Sequence, residues 1–201
     1  MIQQALMLLQ RSRYDQAEQV LRQLLADDPQ DAYGHSLLAL CLMRQDKLPQ
    51  AQSEAKQGIR LAPDQPYCHF VYGLIKAQGD DLQTARLAAE EAIRLDPQES
   101  DYHGLRAAIY LRAQRWREAL DAANEGLTYD PTHQGCLNHR ATALVKLNRH
   151  EETQQTYARH RLAEALKTRC FLYRWLWGIR VWRLRSRRAA WWDWLRSRGS
   201  R

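Results

Sequence analysis

The hydrophobic and polar positions of this chain repeat at an interval of 34 residues. Two lines of small side chains, twelve residues apart, carry the period: Ala5, Ala39, Gly73 and Ala107 form the first, and Ala17, Ala51, Ala85 and Ala119 form the second. Two helices approach closely only where the side chains at their crossing are small. The pattern therefore predicts consecutive helix pairs, in which helix A and helix B cross at these positions.

A proline closes each repeat. The same interval separates Pro29, Pro63, Pro97 and Pro131. Because proline disfavours helical geometry in the residue before it and cannot continue the hydrogen-bond ladder, each proline is expected to end helix B. A period of about 34 residues is typical of helix–turn–helix solenoids. Such folds offer an extended surface for holding other proteins and do not normally supply a catalytic pocket.

Taken together, these positions resemble the tetratricopeptide repeat (TPR) family. The central repeats match through Ala39, Ala51 and Pro63, through Gly73, Ala85 and Pro97, and through Ala107, Tyr110, Ala119 and Pro131. A first repeat, truncated at its start, matches through Ala5, Tyr14, Ala17 and Pro29, and a degenerate fifth one through Ala141 and Leu147. The fifth repeat has Thr153 in place of alanine and no closing proline, so its second helix is expected to continue to about Lys167.

The resemblance implies an all-α, right-handed superhelical solenoid of about five helix pairs. Its repeats are expected at about 1–31, 32–65, 66–99, 100–133 and 134–167, followed by a basic, Trp- and Arg-rich helical extension at 168–201. The family's aromatic residue near the start of helix A is replaced by His35, His69 and His103. Repeats stack about 10 Å apart, far beyond the ~2 Å bonds of a shared metal. We therefore expect each imidazole to fill the aromatic slot, and no metal or cofactor.

Charge and cysteine content narrow the class of protein further. The formal net charge is +7, yet residues 169–201 hold ten arginines and one acid, so the repeats are near neutral. The isolated Cys41, Cys68, Cys136 and Cys170 lack the paired spacing of metal or redox motifs and are interpreted as small packing residues. No basic-then-apolar leader follows Met1, and no stretch approaches the ~20 apolar residues of a membrane span. A reducing cytoplasm is expected.

The resemblance also implies that helix A of each repeat lines a concave groove for a partner protein. The inward positions are expected to be Tyr33, Leu37, Leu40, Met43, Arg44, Tyr67, Phe70, Leu74, Ala77, Gln78, Asp101, Leu105, Ala108, Leu111, Arg112, Asn138, Thr142 and Lys146. Aromatic and apolar side chains suit a peptide or helix face. Family members that grip acidic C-terminal tails use an asparagine at a position held here by Leu6, Leu40, Leu74, Ala108 or Thr142. We expect no binding of such tails through that clamp.

The C-terminal extension is rich in tryptophan and arginine. Its candidate contact residues are Arg174, Trp175, Arg180, Trp182, Arg185, Arg187, Arg188, Trp191 and Trp192. Four interpretations stay open: association with an anionic membrane surface, a cap on the last repeat, binding of a nucleic-acid backbone, and non-native coding sequence. The junction at Leu162–Lys167 and Leu172–Arg174 resembles, over a short stretch, bacterial membrane-anchored repeat proteins, which continue into spanning helices. We expect no spanning segment after this junction, so that either the anchor has become peripheral or the chain is truncated relative to such proteins.

No catalytic constellation stands out in the sequence. The paired acids Glu90-Glu91 and Glu151-Glu152 do not face each other on a helix. There is no glycine-rich phosphate loop, and His139, His150 and His160 have no matching nucleophile or metal spacing. The sequence thus predicts a non-enzymatic scaffold that binds a partner protein and no small-molecule substrate, with a tail that either associates with an anionic membrane surface or caps the solenoid. The alternative is a nucleic-acid-associated adaptor acting through the arginines and tryptophans.

Overall fold

Nine helices follow one another in the computed structural model, which describes residues 1–149, 152–155 and 158. They are α1 (Ile2–Gln10), α2 (Tyr14–Asp27), α3 (Ala32–Arg44), α4 (Leu48–Leu61), α5 (Pro66–Gln78), α6 (Leu82–Leu95), α7 (Ser100–Arg112), α8 (Trp116–Tyr129) and α9 (Gln134–Lys146). Residues 152–155 and 158 are also helical, and the described residues include no strand. The expected all-α solenoid of helix pairs is confirmed. The domain boundary expected near residue 167 lies outside the described residues and stays a prediction.

The small residues lie where the two helices of each pair cross, as predicted. The alanines of both lines are fully buried. A Cβ atom added to Gly73 in α5 would lie 3.3 Å from the carbonyl oxygen of Ala85 in α6 and 3.0 Å from Leu105. Any larger side chain would therefore push α5 and α6 apart. In the fifth repeat Thr153 is buried in place of alanine, and its hydroxyl donates to the carbonyl oxygen of Arg149 at 2.9 Å.

Each second helix ends two residues before its proline, again as predicted. An aspartate precedes the proline in three repeats and stabilises the turn. The carboxylate oxygen of Asp28 accepts the amide N–H of Gln30 at 3.1 Å, and Asp130 accepts that of Thr132 at 2.8 Å. Asp96 does the same for Gln98 at 3.1 Å. These Asx turns lead the chain from one repeat into the next.

The turn between the two helices of a repeat has a conformation that the sequence did not suggest. One residue per repeat has positive φ, and the five recur every 34 residues: Ser12 (55°), Asp46 (62°), Asp80 (64°), Gln114 (58°) and Asn148 (57°). After each, the next amide N–H donates to a carbonyl oxygen five residues back, as Arg13 does to Leu8 at 2.9 Å. This closes the first helix in the manner of a Schellman motif. The position is left-handed although none of the five residues is glycine.

Three histidines join successive repeats. Nε2 of His35 donates to the carbonyl oxygen of Pro29 at 3.2 Å, and His69 and His103 donate to Pro63 and Pro97 at 2.8 Å. Because a carbonyl oxygen only accepts, Nε2 carries the proton in all three rings. Each of these bonds reaches the proline of the preceding repeat, a contact that the sequence did not suggest.

The helices form two layers. Contacts join α3 to α5, α5 to α7 and α7 to α9, so the first helices of these repeats lie side by side. Each second helix packs against the first helices that flank it, as α4 does against α3 and α5. The first helices therefore form the inner layer of the described repeats. Cys41, Cys68 and Cys136 are fully buried, which confirms their interpretation as packing residues, and Cys170 lies outside the described part.

Candidate functional site

A row of aromatic rings runs across three first helices of the inner layer. Tyr33 of α3, Tyr67 and Phe70 of α5, and Tyr102 of α7 form this aromatic row. Successive ring centroids are 5.0, 6.0 and 5.2 Å apart, with interplanar angles between 41° and 46°. Tilted pairs at these distances are favourable, each contributing about 0.5–1.5 kcal/mol beyond the area they bury. The row is thus a preorganised, rigid strip.

The tyrosines of the row keep their protons. Burial raises the pKa of Tyr102 to about 12 and raises that of Tyr67 as well, because an ionised phenol would lose its hydration. Tyr102 is buried, whereas Tyr33, Tyr67 and Phe70 are half-buried. The part of the row that a ligand can reach therefore consists of neutral aromatic surface.

Next to the row lies a cavity of about 170 Å³ between α5, α7 and the start of α9. This central pocket is lined by Phe70, Leu74, Asp101, Gly104, Leu105, Ala108, His133, Gly135 and His139. Phe70 belongs to both the row and the pocket, so the two features form one continuous surface. An apolar cavity of about 150 Å³ is large enough to hold benzene. The central pocket therefore has room for one aromatic or branched apolar side chain.

The rim of the central pocket carries a hydrogen-bonded pair. His133 is the N-cap of α9, and its Nδ1 accepts the amide N–H of Cys136 at 3.2 Å. Nε2 of the same ring donates to Oδ1 of Asp101 at 3.0 Å. Since Nδ1 acts as an acceptor, the His133 ring is neutral with its proton on Nε2. The pair leaves one net negative charge at the rim.

Asp101, His133 and Cys136 are the residue types of a nucleophilic triad, but their geometry does not form one. His133 meets the amide of Cys136 and not its thiol. The Sγ atom is fully buried and donates to the carbonyl oxygen of Ser100 at 3.5 Å. Burial raises the pKa of this thiol to about 12, so it is protonated at neutral pH. The arrangement suits binding and not acyl transfer.

His139 completes the rim on the side of α9. Burial lowers the pKa of His139, so its ring is neutral at neutral pH. Sequence reasoning missed both pocket histidines. The signal lay in the period: His133 follows Asp101 by 32 residues, nearly one repeat, so the two residues lie at the same end of neighbouring helices.

The expected groove residues divide into three groups by exposure. Leu37, Met43, Ala77 and Leu105 are buried against neighbouring helices. The half-buried group comprises Tyr33, Leu40, Tyr67, Phe70, Leu74, Ala108 and Leu111. The exposed group comprises Arg44, Gln78, Asp101, Arg112, Asn138, Thr142 and Lys146. The half-buried group includes the reachable part of the aromatic row and three walls of the central pocket, and its contact with a partner stays a prediction.

Two cations expected in the groove already have partners within the chain. The guanidinium of Arg112 donates to the carbonyl oxygen of Ala77 and to Oδ1 of Asp80, the latter at 2.5 Å. The ammonium of Lys146 lies 5.8 Å from the centre of the Trp116 ring. Both contacts lie toward the turns that end the first helices, away from the start of α7. These cations therefore do not neutralise the acidic rim of the central pocket.

Other expectations fall outside this surface. The candidate contact residues between Arg174 and Trp192 all lie beyond the described residues. Within the described part of the chain, no helix combines the length and the apolar character needed to cross a bilayer. Nor do the described residues group three His, Cys, Asp or Glu side chains as a metal site would require. A second, open hollow of about 500 Å³ lies at the first turn and is lined mainly by polar and charged residues.

Family comparison agrees with this architecture. Two models of the tetratricopeptide repeat match residues 8–75 and 73–133, which together span more than half of the chain. The protein belongs to the tetratricopeptide repeat family. Proteins with this fold are generally non-enzymatic scaffolds for protein–protein interaction. Among curated proteins, none matches the sequence significantly.

Several solved structures share the fold. The structure from the functional characterization of Pseudomonas aeruginosa pilF has 21% identity and a TM-score of 0.71, over 81% of this chain and 74% of that one. A thermophilic TPR protein of Thermus thermophilus has 19% identity and a TM-score of 0.71, over 79% and 87%. MamA residues 41–end from Desulfovibrio magneticus RS-1 has 14% identity and a TM-score of 0.65, over 80% and 91%. At these identities the likeness concerns the fold alone.

Proposed function

We propose that this protein is a non-enzymatic scaffold whose inner layer binds a peptide or a helix of a partner protein. The observation that carries the proposal is the continuity between the aromatic row and the central pocket, which share Phe70. Aromatic residues clustered around a pocket are typical of the few positions that dominate binding energy. Filling the pocket with a leucine or phenylalanine side chain is expected to contribute about 1.5–3 kcal/mol.

The aromatic row favours a ligand that runs along the repeats. Its four rings span α3, α5 and α7, so a bound segment would cross the first helices. Since the ring pairs hold one another in place, little side-chain entropy is lost on binding. An amphipathic helix or an extended segment with one apolar anchor meets these requirements. The asparagine position of the carboxylate clamp used by some family members is held here by Leu6, Leu40, Leu74, Ala108 or Thr142, so acidic C-terminal tails are not the proposed ligand.

The membrane tether and the alternative of a nucleic-acid adaptor both depend on residues 168–201. Arginine with tryptophan suits an anionic membrane surface, where indole rings lie among the headgroups. The same residues could contact a phosphate backbone. Both therefore remain proposals about the extension and do not alter the proposal for the inner layer. A location in the cytoplasm is likewise a prediction.

A matched pair of substitutions tests the role of the inner layer. Leu74→Arg places a cation in the central pocket, whereas Leu87→Arg changes a leucine of the same repeat that is 53% exposed on α6. Peptides are selected by display on the wild-type protein and then measured by fluorescence anisotropy. We expect the selected peptides to share an apolar anchor and to bind Leu74→Arg at least tenfold more weakly. Equal loss of binding by both variants, or by neither, contradicts the proposal.

A further inference from the structure

We infer that the central pocket selects a partner segment in which an aromatic or leucine side chain lies beside a lysine or an arginine. This inference rests on the proposed function and adds the chemistry of the ligand. It is based on the apolar lining of the cavity and on the unneutralised carboxylate of Asp101 at its rim. The segment would insert the apolar side chain and place its cation against Asp101.

The walls of the central pocket explain why the inserted side chain should be apolar. Phe70, Leu74, Leu105 and Ala108 surround the cavity, and their polar backbone atoms are engaged within α5 and α7. A charged group that entered would lose its hydration without gaining a partner on these walls. The cavity volume of about 170 Å³ matches one ring or one branched side chain. The inserted group is therefore apolar, and the cation stays at the rim.

Asp101 explains why a cation should lie beside the inserted side chain. Its side chain is 61% exposed, and Oδ1 accepts the proton of the neutral His133 ring. No side chain in the described part of the chain donates to Oδ2 of Asp101, which is therefore open to a ligand. Glu99, the N-cap of α7, adds a second negative charge, because its carboxylate accepts the amide N–H of Asp101 at 3.4 Å. With His139 neutral, the rim is net negative.

The nearby cations of α7 are engaged elsewhere. The guanidinium of Arg106 pairs with Glu125 and contacts Nδ1 of His103 at 3.4 Å. Arg112 lies eleven residues after Asp101, about 16 Å along the helix, and pairs with Asp80. That distance exceeds the screening length of about 8–10 Å at physiological salt. A ligand cation therefore meets little competition from α7 at Asp101.

Three small probes separate ring binding from charge selection. Phenethylammonium, 3-phenylpropanamide and 3-phenylpropanoate carry the same ring with a cation, a neutral amide and an anion. Each is titrated into the full-length protein with labelled leucine methyl groups, and methyl shifts of Leu74 and Leu105 are followed by NMR. We expect the cation to bind about 2- to 5-fold more tightly than the amide, as an exposed ion pair allows, and the anion to bind most weakly.

A conservative variant assigns the preference to the carboxylate. Asp101→Asn keeps an oxygen for His133 but removes the charge, so the cation and the amide should bind it equally. Asp121→Asn removes an exposed carboxylate of α8 and should keep the full preference. An unfolding curve of each variant confirms that the fold is retained. Loss of the preference in Asp121→Asn as well would overturn the assignment to Asp101.

The outcomes distinguish this inference from the proposed function. If all three probes shift the Leu74 and Leu105 methyl groups with equal affinity, the charge selection is refuted and the apolar pocket stands. If the cation binds but shifts other methyl groups, or if no probe shifts these two at millimolar concentration, the inference is also refuted. Failure of the proposed function has a different signature, namely selected peptides that bind wild-type protein and Leu74→Arg equally well.

Discussion

Gly126 in α8 is the position where a single added methyl group should disturb the joint between two repeats. A Cβ atom there would lie 2.6 Å from Sγ of Cys136 and 3.0 Å from Cβ of His103. Ordinary contacts between such atoms begin near about 3.5 Å, so a shift of about 1 Å is required. Cys136 cannot easily give way, because it is fully buried and bonded to the carbonyl oxygen of Ser100.

The expected cost of Gly126→Ala follows from two opposing effects. Overpacking a core position costs about 1–3 kcal/mol. Replacing glycine by alanine in the interior of a helix raises the free energy of unfolding by about 1 kcal/mol. We therefore expect the free energy of unfolding to fall by up to about 2 kcal/mol, measured by urea denaturation with circular dichroism.

Two further variants make the measurement decisive. Gly79→Ala is the control, since a Cβ there meets nothing closer than 3.6 Å and φ is −80°. It should raise stability by about 0.4–1 kcal/mol by restricting the unfolded chain. Combining Gly126→Ala with Cys136→Ala removes the clashing sulfur, so the double variant should be more stable than the sum of the single changes predicts, by about 1 kcal/mol. If Gly126→Ala is as stabilising as Gly79→Ala, the packing argument is wrong.

Three other predictions address charge, backbone strain and the extension. Hydrogen bonding from Lys47 lowers the pKa of Glu18 to about 2, so its stabilising effect is present above pH 4.5 and is lost as the pH falls toward 2. In urea titrations, Glu18→Gln should lower the free energy of unfolding at pH 7 by only about 1 kcal/mol, because solvent screens the ion pair, and should leave it unchanged near pH 2. Equal losses at the two pH values would contradict this prediction. Gln114→Gly should raise the free energy of unfolding by about 0.5 kcal/mol, because glycine adopts the left-handed turn without strain, and Asn148→Gly should raise it by less. A lower free energy of unfolding for Gln114→Gly in the same assay would refute this prediction. Full-length protein should float with anionic liposomes at low and high salt, and a version ending at Lys167 should not; equal flotation of both excludes the tether.

The helix pairs could be predicted because their signals are short-range and repeated. A small residue at each crossing and a proline after each second helix appear in one repeat after another. Gly73 and Pro97 therefore strengthen the interpretation of the equivalent Ala39 and Pro63 in the preceding repeat. The left-handed turns could not be predicted, since glycine is absent from all five positions. Residues such as Asp and Asn adopt that conformation with little strain, and Gln114 adopts it because the two flanking helices fix the turn.

The candidate site was predicted in outline and not in detail. The phase of the repeats correctly places Tyr33, Tyr67 and Phe70 on first helices that contact one another. It does not reveal that Leu37 is buried, because a position at the side of a first helix is covered by the next repeat. Nor does it reveal the pair at the pocket rim, since His133 lies in a connection before α9 and reaches Asp101 only after the repeats stack.

The bonds of His35, His69 and His103 to the prolines six residues before them recur at identical spacing, so we expect the repeats to be interchangeable units. If residues 66–99 were excised, His103 would follow Pro63 by six residues, and the same junction would form again. The shortened protein would keep its chain register but lose Phe70 and Leu74, and with them the central pocket. We therefore expect length and recognition to be separable in this chain: removing a whole period would require no new connection, while the proposed ligand choice would depend on the three consecutive repeats that line the central pocket.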